Sequence, residues 1–262
     1  MARARMGQHF LADPEAVGAI VASAAVRPSD RVVEIGPGRG ALTFALSELT
    51  DDLTLVEPDR GLAATLRLGH PAARVLEKRG EDVDYLGLPG PLVVVANLPY
   101  YASVQIYKRL TEQKANVSRM VLMFQKEVAQ RIAAGPGGRH YGSLSLWSAY
   151  NWTIETVLFV PRSSFRPPPK VESAVLRFVP RPGPPVEADE DKLFRLVRAS
   201  FARRRRTLAN NLKNVYSAGT IGPALDGAGL DPNARAETAS MEQFAVMCEI
   251  LREKGPAGPA AG

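Results

Sequence analysis

The stretch VVVANLPYYAS, residues 93–103, closes an apolar run with an amide, a proline and a phenol in place of the small polar residues that end most buried strands. Together they suit one reaction. An amine conjugated to a heteroaromatic ring is a poor nucleophile, because its lone pair is delocalised into the ring. The side-chain carbonyl of Asn97 and the backbone carbonyl of Leu98 can accept both of its protons, which favours a pyramidal nitrogen whose lone pair points at a methyl donor. Pro99 restricts the backbone so that the two carbonyls converge, and Tyr100 offers a face on which a purine can stack. An Asn-Pro-type turn with a packing tyrosine uses the same residues. The difference lies in whether the chain also builds a place for the donor.

VVEIGPGRGALT, residues 32–43, puts Gly36, Gly38 and Gly40 between a strand-like and a helix-like segment. Glycine permits a tight turn and a close backbone approach to a nucleotide-like cofactor at the carboxyl end of a first strand. The pattern is G-x-G-x-G behind Glu34, which is not the G-x-G-x-x-G of dinucleotide binders, and alone it fits a structural turn equally well. Glu57 strengthens it. That residue ends the next strand, 17 residues beyond Gly40, where a carboxylate can accept from both ribose hydroxyls of an adenosine. Glu81 and Asp82 follow the third strand, and either can accept from an exocyclic adenine amine.

These segments need a scaffold, and periodicity supplies one. Helical character over 14–25, 41–49 and 62–68 alternates with strand character over 31–36, 53–59, 73–82 and 91–100. Such alternation implies a doubly wound α/β sheet of parallel strands with helices on both faces, which sets the glycine turn and residues 97–100 at one carboxyl edge. Residues 103–113 and 124–135 read as helices around the apolar run MVLMF (120–124), and 153–161 and 171–180 suit an antiparallel edge. RPGPPVEADED (181–191) has linker composition, and about three helical segments follow. The expected division is a catalytic domain over 1–181, a helical domain over 182–254 and a disordered tail over 255–262.

Composition narrows the partners. Hydrophobic residues make up 45% and charged residues 23% of the 262, which fits a soluble globular chain. One cysteine, Cys248, and three widely spaced histidines exclude a disulfide framework or a cysteine-rich zinc site, so no metal is expected. Without a run of 18 apolar residues or a signal-like N-terminus, a cytoplasmic chain without membrane contact is expected. The net charge of +6 is unevenly spread: residues 192–213 hold eight basic side chains and no acid, with Arg203, Arg204, Arg205 and Arg206 in a row. A local basic face of this kind suits a polyanion.

Eight blocks, GQHFLADP, EIGPGRGALT, VEPDRGLAATL, ANLPYYAS, FQKEVAQRIAAGPGGRHYGSLS, VPRSSFRPPPKVESAVLRF, SFARRRRTLANNL and LDPNARAETASMEQFA, occur in the order found in the small-subunit ribosomal RNA adenine dimethyltransferase family, which the chain resembles from Met6 to Leu251. The resemblance implies a Rossmann-like class I S-adenosylmethionine-dependent methyltransferase sheet with a small C-terminal all-α domain. It assigns cofactor contacts to Gln8, His9, Leu11, Gly36, Gly38, Gly40, Glu57 and Asn97, and to Glu81 or Asp82. Tyr100 and Phe165 would sandwich an adenine taken out of its stack, although Phe165 read by itself is a cap on the proline turn. Residues 203–206 would dock on rRNA phosphates. The implied reaction places two methyl groups on N6 of each of two adjacent adenines near the 3′ end of 16S rRNA, with the small ribosomal subunit as partner, no DNA, and a single-chain enzyme. His9, Glu81 and Tyr101 stand where relatives more often have Asn, Asp and Asn, and none of the three touches the Asn-Leu-Pro-Tyr core.

Three other readings compete. A large-subunit 23S rRNA methyltransferase conferring macrolide resistance shares the early blocks and the chemistry. A non-catalytic ribosome-assembly factor would keep the fold and bind RNA without methylating it. A DNA adenine methyltransferase would need a separate sequence-reading domain, for which the chain shows no candidate.

Overall fold

Runs of consecutive apolar residues in this chain become strands covered on both faces. The computed structural model describes residues 9–251. A two-residue strand, β1 (Phe10–Leu11), leads to α1 (Pro14–Ala24), whose first turn is closed by Asp13 accepting from the amides of Glu15 and Ala16. Next come β2 (Arg31–Ile35), α2 (Ala41–Ser47), β3 (Leu53–Val56), α3 (Arg60–Gly69), β4 (Arg74–Leu76), β5 (Leu92–Asn97), α4 (Ser103–Glu112), β6 (Val117–Gln125) and α5 (Lys126–Ala133). After α6 (Ser143–Asn151) the sheet is completed by β7 (Trp152–Val160) and β9 (Ser173–Pro180), while β8 (Phe165–Arg166) pairs with β1. The helices α7 (Glu190–Ser200), α8 (Leu208–Leu212), α9 (Ala218–Gly227) and α10 (Met241–Ile250) end the described chain.

The sheet has the order β4-β3-β2-β5-β6-β9-β7. The first five of these strands pair in parallel, whereas β9 and β7 add antiparallel. The doubly wound sheet and its antiparallel edge therefore form as the periodicity implies. MVLMF, however, is not a spacer between helices. All five residues are fully buried within β6, flanked by β5 and β9, and a strand covered on both faces has the continuous apolar signature of a buried helix segment.

On one face of the sheet Phe178 packs among aromatic rings, its centroid 5.2 Å from Tyr107, 6.1 Å from Trp152 and 6.3 Å from Phe124. On the other, Val93, Val95, Val121 and Val175 meet Ile20, Ala24 and Leu46.

The described structure divides into two units. One holds the residues up to Ala129 and Trp152–Pro180; the other holds Gln130–Asn151 and the chain from Arg181 onward. This differs from an unbroken unit over 1–181. Tyr141, Leu146 and Tyr150 are buried with Leu196, Leu208, Phe244 and Met247, so α6 shares the core of the C-terminal helices. The tail over 255–262 lies outside the described residues. Among the described residues no helix is long and apolar enough to cross a membrane.

Phe178→Ala is expected to cost about 3–5 kcal/mol of unfolding free energy, since a fully buried ring leaves a cavity among its three aromatic neighbours. Denaturant titration should show a lower midpoint at an unchanged slope.

Candidate active site

Parallel pairing sets Ile35 beside Ala96, and the turns that follow β2 and β5 consequently lie side by side. At Gly36, φ is +69°, and a Cβ there would stand 3.6 Å from the carbonyl oxygen of Asn97 and 3.7 Å from Cδ of Pro99. At Gly38, φ is +58°, and a Cβ would stand 3.0 Å from the Phe10 ring. Side chains are strained at such φ values, so both positions call for glycine on conformation, and Gly38 also on space.

A cavity opens over this turn, walled by Gly36, Gly38, Glu57, Asn97 and Tyr100, with the segment from His9 to Leu11 on another side. Glu57 is 4% exposed. Its carboxylate accepts from the amide of Gly38 at 3.1 Å and from that of Asp59 at 2.9 Å. Burial pushes its pKa up, and these two donors pull against that. Each oxygen keeps an acceptor site beyond these two bonds, and one free site per oxygen suits a vicinal diol.

Asn97 ends β5 and donates from Nδ2 to the backbone oxygen of His9 at 3.4 Å. That contact fixes which way the amide faces. No described residue donates to its Oδ1 or to the carbonyl of Leu98. The Tyr100 hydroxyl shares a 2.7 Å hydrogen bond with Ser173 Oγ, and burial raises its pKa, which keeps the phenol neutral. His9 donates from Nδ1 to the backbone oxygen of Pro167 at 2.9 Å, and its ring centroid lies 5.7 Å from that of Tyr100.

The structure thus brings together His9, Leu11, Gly36, Gly38, Glu57, Asn97, Leu98, Pro99 and Tyr100. Gly40 stands apart from the wall as the left-handed residue that starts α2. Gln8 lies outside the described residues. Phe165 corrects the expectation of a second stacking face: its ring is fully buried with Leu11, Val160 and Val175 and does not line the cavity. The pairing of β8 with β1 draws it into the core. Glu81 and Asp82 sit in a 3-10 turn, the first half-buried and the second exposed, and neither lines the cavity. The wall residues not assigned from sequence include Glu34, Arg39 and Tyr101. For Glu34 a signal existed, an acid inside the otherwise apolar strand RVVEI. Among the described residues no three His, Cys, Asp or Glu side chains group as a metal site would need.

The family model for ribosomal RNA adenine dimethylase matches residues 1–253. The chain belongs to that family. Within it, the ribosomal RNA small subunit methyltransferase A of Myxococcus xanthus is 43% identical, covering 97% of this chain and 91% of its own length. Its namesake in Acinetobacter baylyi is 44% identical, covering 95% and 92%. Among solved structures, the 23S rRNA methyltransferase ErmE superposes with a TM-score of 0.74 at 27% identity, over 92% of this chain and 99% of that one. A dimethyladenosine transferase from Plasmodium falciparum gives the same TM-score at 25% identity, over 93% and 99%.

In this dimethylase-family chain the arginine run forms an exposed loop between α7 and α8 of the second unit. Asn211 pins the loop from beneath: its amide, 6% exposed, donates to the carbonyls of Ser200 at 2.6 Å and Arg203 at 3.1 Å. Arg204 donates to the carbonyl of Arg139 at 2.7 Å, which ties the loop to the residue after the glycine-rich segment 135–138 of the same unit. None of the described ion pairs involves residues 203–206, and all four residues are exposed.

Asn211→Ala leaves two loop carbonyls without their donor, and about 1–3 kcal/mol of stability is expected to be lost. Limited trypsin digestion under native conditions should cut within residues 203–206 several-fold faster than in the parent.

Proposed function

We propose that the protein transfers methyl groups from S-adenosylmethionine to N6 of two adjacent adenines in the 3′-end hairpin of 16S rRNA, giving N6,N6-dimethyladenine. The reading is carried by one observation: the two oxygens of Asn97 and Leu98 that no described residue engages stand at the cavity whose other wall is the fixed carboxylate of Glu57.

The residues present fit this cofactor. The turn at Gly36 and Gly38 presents backbone to the cavity in a conformation that disfavours any Cβ, and Glu57 can take both ribose hydroxyls on lone pairs left by Gly38 and Asp59. When bound, the cofactor supplies an electrophilic methyl group on a sulfonium that leaves readily. Asn97 Oδ1 and the Leu98 carbonyl would accept hydrogen bonds from the N6–H groups and aim the nitrogen lone pair at that carbon, and the proton that each methyl group replaces would leave to water. Tyr100, its hydroxyl anchored on Ser173, supports the base by stacking. Positioning of this kind accounts for most of the barrier reduction, with no covalent enzyme intermediate. With Phe165 buried, Tyr100 carries the stacking among the rings that line the cavity.

The substrate's address is supported by the names of the 43–44% identical relatives, which specify the small subunit, against 27% identity to the 23S enzyme. The arginine loop, pinned and unpaired, suits rRNA phosphates, which position a substrate without reading its sequence. The protein would act in the cytoplasm as a single chain, during small-subunit biogenesis.

Methyl transfer from labelled cofactor to subunits lacking the modification tests the proposal. Label is expected as N6,N6-dimethyladenine at adjacent small-subunit adenines; label on the large subunit would move the protein to the 23S chemistry, and none on either would leave an RNA-binding factor. Asn97→Ala should lower kcat/KM by about 10² or more. Changing residues 203–206 to Gln should raise KM for the subunit and reduce the log–log salt slope by about 3, since each phosphate contact contributes about 0.7–0.9.

A further inference from the structure

A base drawn out of its stack has two faces, and Tyr100 covers one of them. With Phe165 in the core, the second face needs another ring. The imidazole of His9 stands opposite Tyr100, the two centroids 5.7 Å apart and the planes inclined by 34°. That is the nearest to parallel of the described ring pairs, most of which meet edge-on. Near-parallel planes are what a flat base can slide between.

Each ring is held at its rim. The Tyr100 hydroxyl meets Ser173 Oγ at 2.7 Å, and His9 Nδ1 donates to the backbone oxygen of Pro167 at 2.9 Å. Both bonds run from ring edges, so neither uses a face. The backbone of His9 is tied to the reacting end of the cavity as well, since its carbonyl accepts from Asn97 Nδ2 at 3.4 Å. An adenine whose amine lies on Asn97 Oδ1 and the Leu98 carbonyl, with one face on Tyr100, therefore turns its other face toward His9.

The remaining rings on the wall are placed otherwise. Phe10 is turned to the glycine turn, where a Cβ on Gly38 would stand 3.0 Å from its ring, and the Arg39 guanidinium covers it at 4.5 Å from the centroid. Tyr101 is 69% exposed and makes no described ring contact with Tyr100.

We propose that His9 is the second stacking face for the target adenine, which enters between its imidazole and the Tyr100 ring. Contacts of about 3.5 Å on each side of a base require about 7 Å between the rings. The present 5.7 Å must therefore widen by roughly 1–1.5 Å, and the base replaces a contact that the rings make with each other. Stacking supports any base alike. The choice of an exocyclic amine stays with the two oxygens of Asn97 and Leu98. The inference rests on the methyl-transfer reading and adds to it the residue that holds the base once it is out of its stack.

Three substitutions of His9 in the full chain separate a ring from a hydrogen-bond donor. Phe keeps a ring and loses the bond to Pro167, Asn keeps a side-chain N–H and loses the ring, and Ala loses both. Methyl transfer to small subunits lacking the modification is measured at saturating S-adenosylmethionine, so that a weakened cofactor contact does not enter the rate. His9→Ala is expected to lower kcat about 5- to 100-fold, the equivalent of one lost stacking contact, with KM for the subunit changed less than twofold. His9→Phe should recover most of that loss, and His9→Asn should stay close to Ala.

Recovery by Asn and not by Phe would make His9 a hydrogen-bonding strut and overturn the proposal, as would rates for all three variants equal to the parent's. Calorimetric titration with S-adenosylmethionine checks the cavity itself: cofactor binding lost in both Ala and Phe but kept in Asn would place His9 on the cofactor and overturn it equally. A parent that methylates neither subunit would instead overturn the methyl-transfer reading.

Discussion

The parallel register between β2 and β5 is the constraint on which the site depends. With Ile35 beside Ala96, the chain leaves both strands at the same level, and Gly36 comes against the backbone of Asn97. A one-residue slip would turn each side chain of β5 to the opposite face. Val93 and Val95 would exchange places with Val94, two sets that are buried on different sides of the sheet. The apolar packing on both faces therefore fixes where Asn97 ends, to within a fraction of a residue spacing. A polar site at the strand's end inherits that precision from a hydrophobic core.

Desolvation is the second influence. The cavity wall holds two carboxylates that water hardly reaches, and the chain treats them differently. Glu57 is given two backbone donors and serves as a fixed acceptor. Glu34 receives a single hydroxyl and is left electrostatically short. In a region of low dielectric the same residue type thus takes two characters from the depth of its burial and the number of its hydrogen-bond donors. Asn97 shows the same economy of means, since one donor to the His9 carbonyl settles which of its ends remains open to a ligand.

The second unit works on other physics. Its core of Leu196, Leu208, Leu212, Phe244 and Met247 is ordinary helical packing, yet from it Asn211 holds a loop of four adjacent arginines in place. Like charges in sequence repel one another, and an unpinned run would spread. Two hydrogen bonds from a buried amide offset part of that tendency and present the guanidinium groups on a defined loop. Such a surface is what the proposed docking on rRNA phosphates requires.

The sequence by itself determined the strand-helix alternation, the glycine turn, Glu57 and the Asn-Leu-Pro-Tyr element, because each is local: periodicity, φ preference and side-chain type are written in neighbouring residues. The tertiary structure alone decided what depends on distant partners. MVLMF is a strand because β5 and β9 flank it, and α6 belongs with the C-terminal helices because Tyr141, Leu146 and Tyr150 find their apolar partners there. Phe165 went into the core and not to the cavity because β8 pairs with a strand more than 150 residues earlier. Glu81 and Asp82, on a turn whose path no local rule sets, ended away from the wall. Glu34 was visible as an acid in an apolar strand, but its burial is a property of everything packed around it, and no window of sequence contains that.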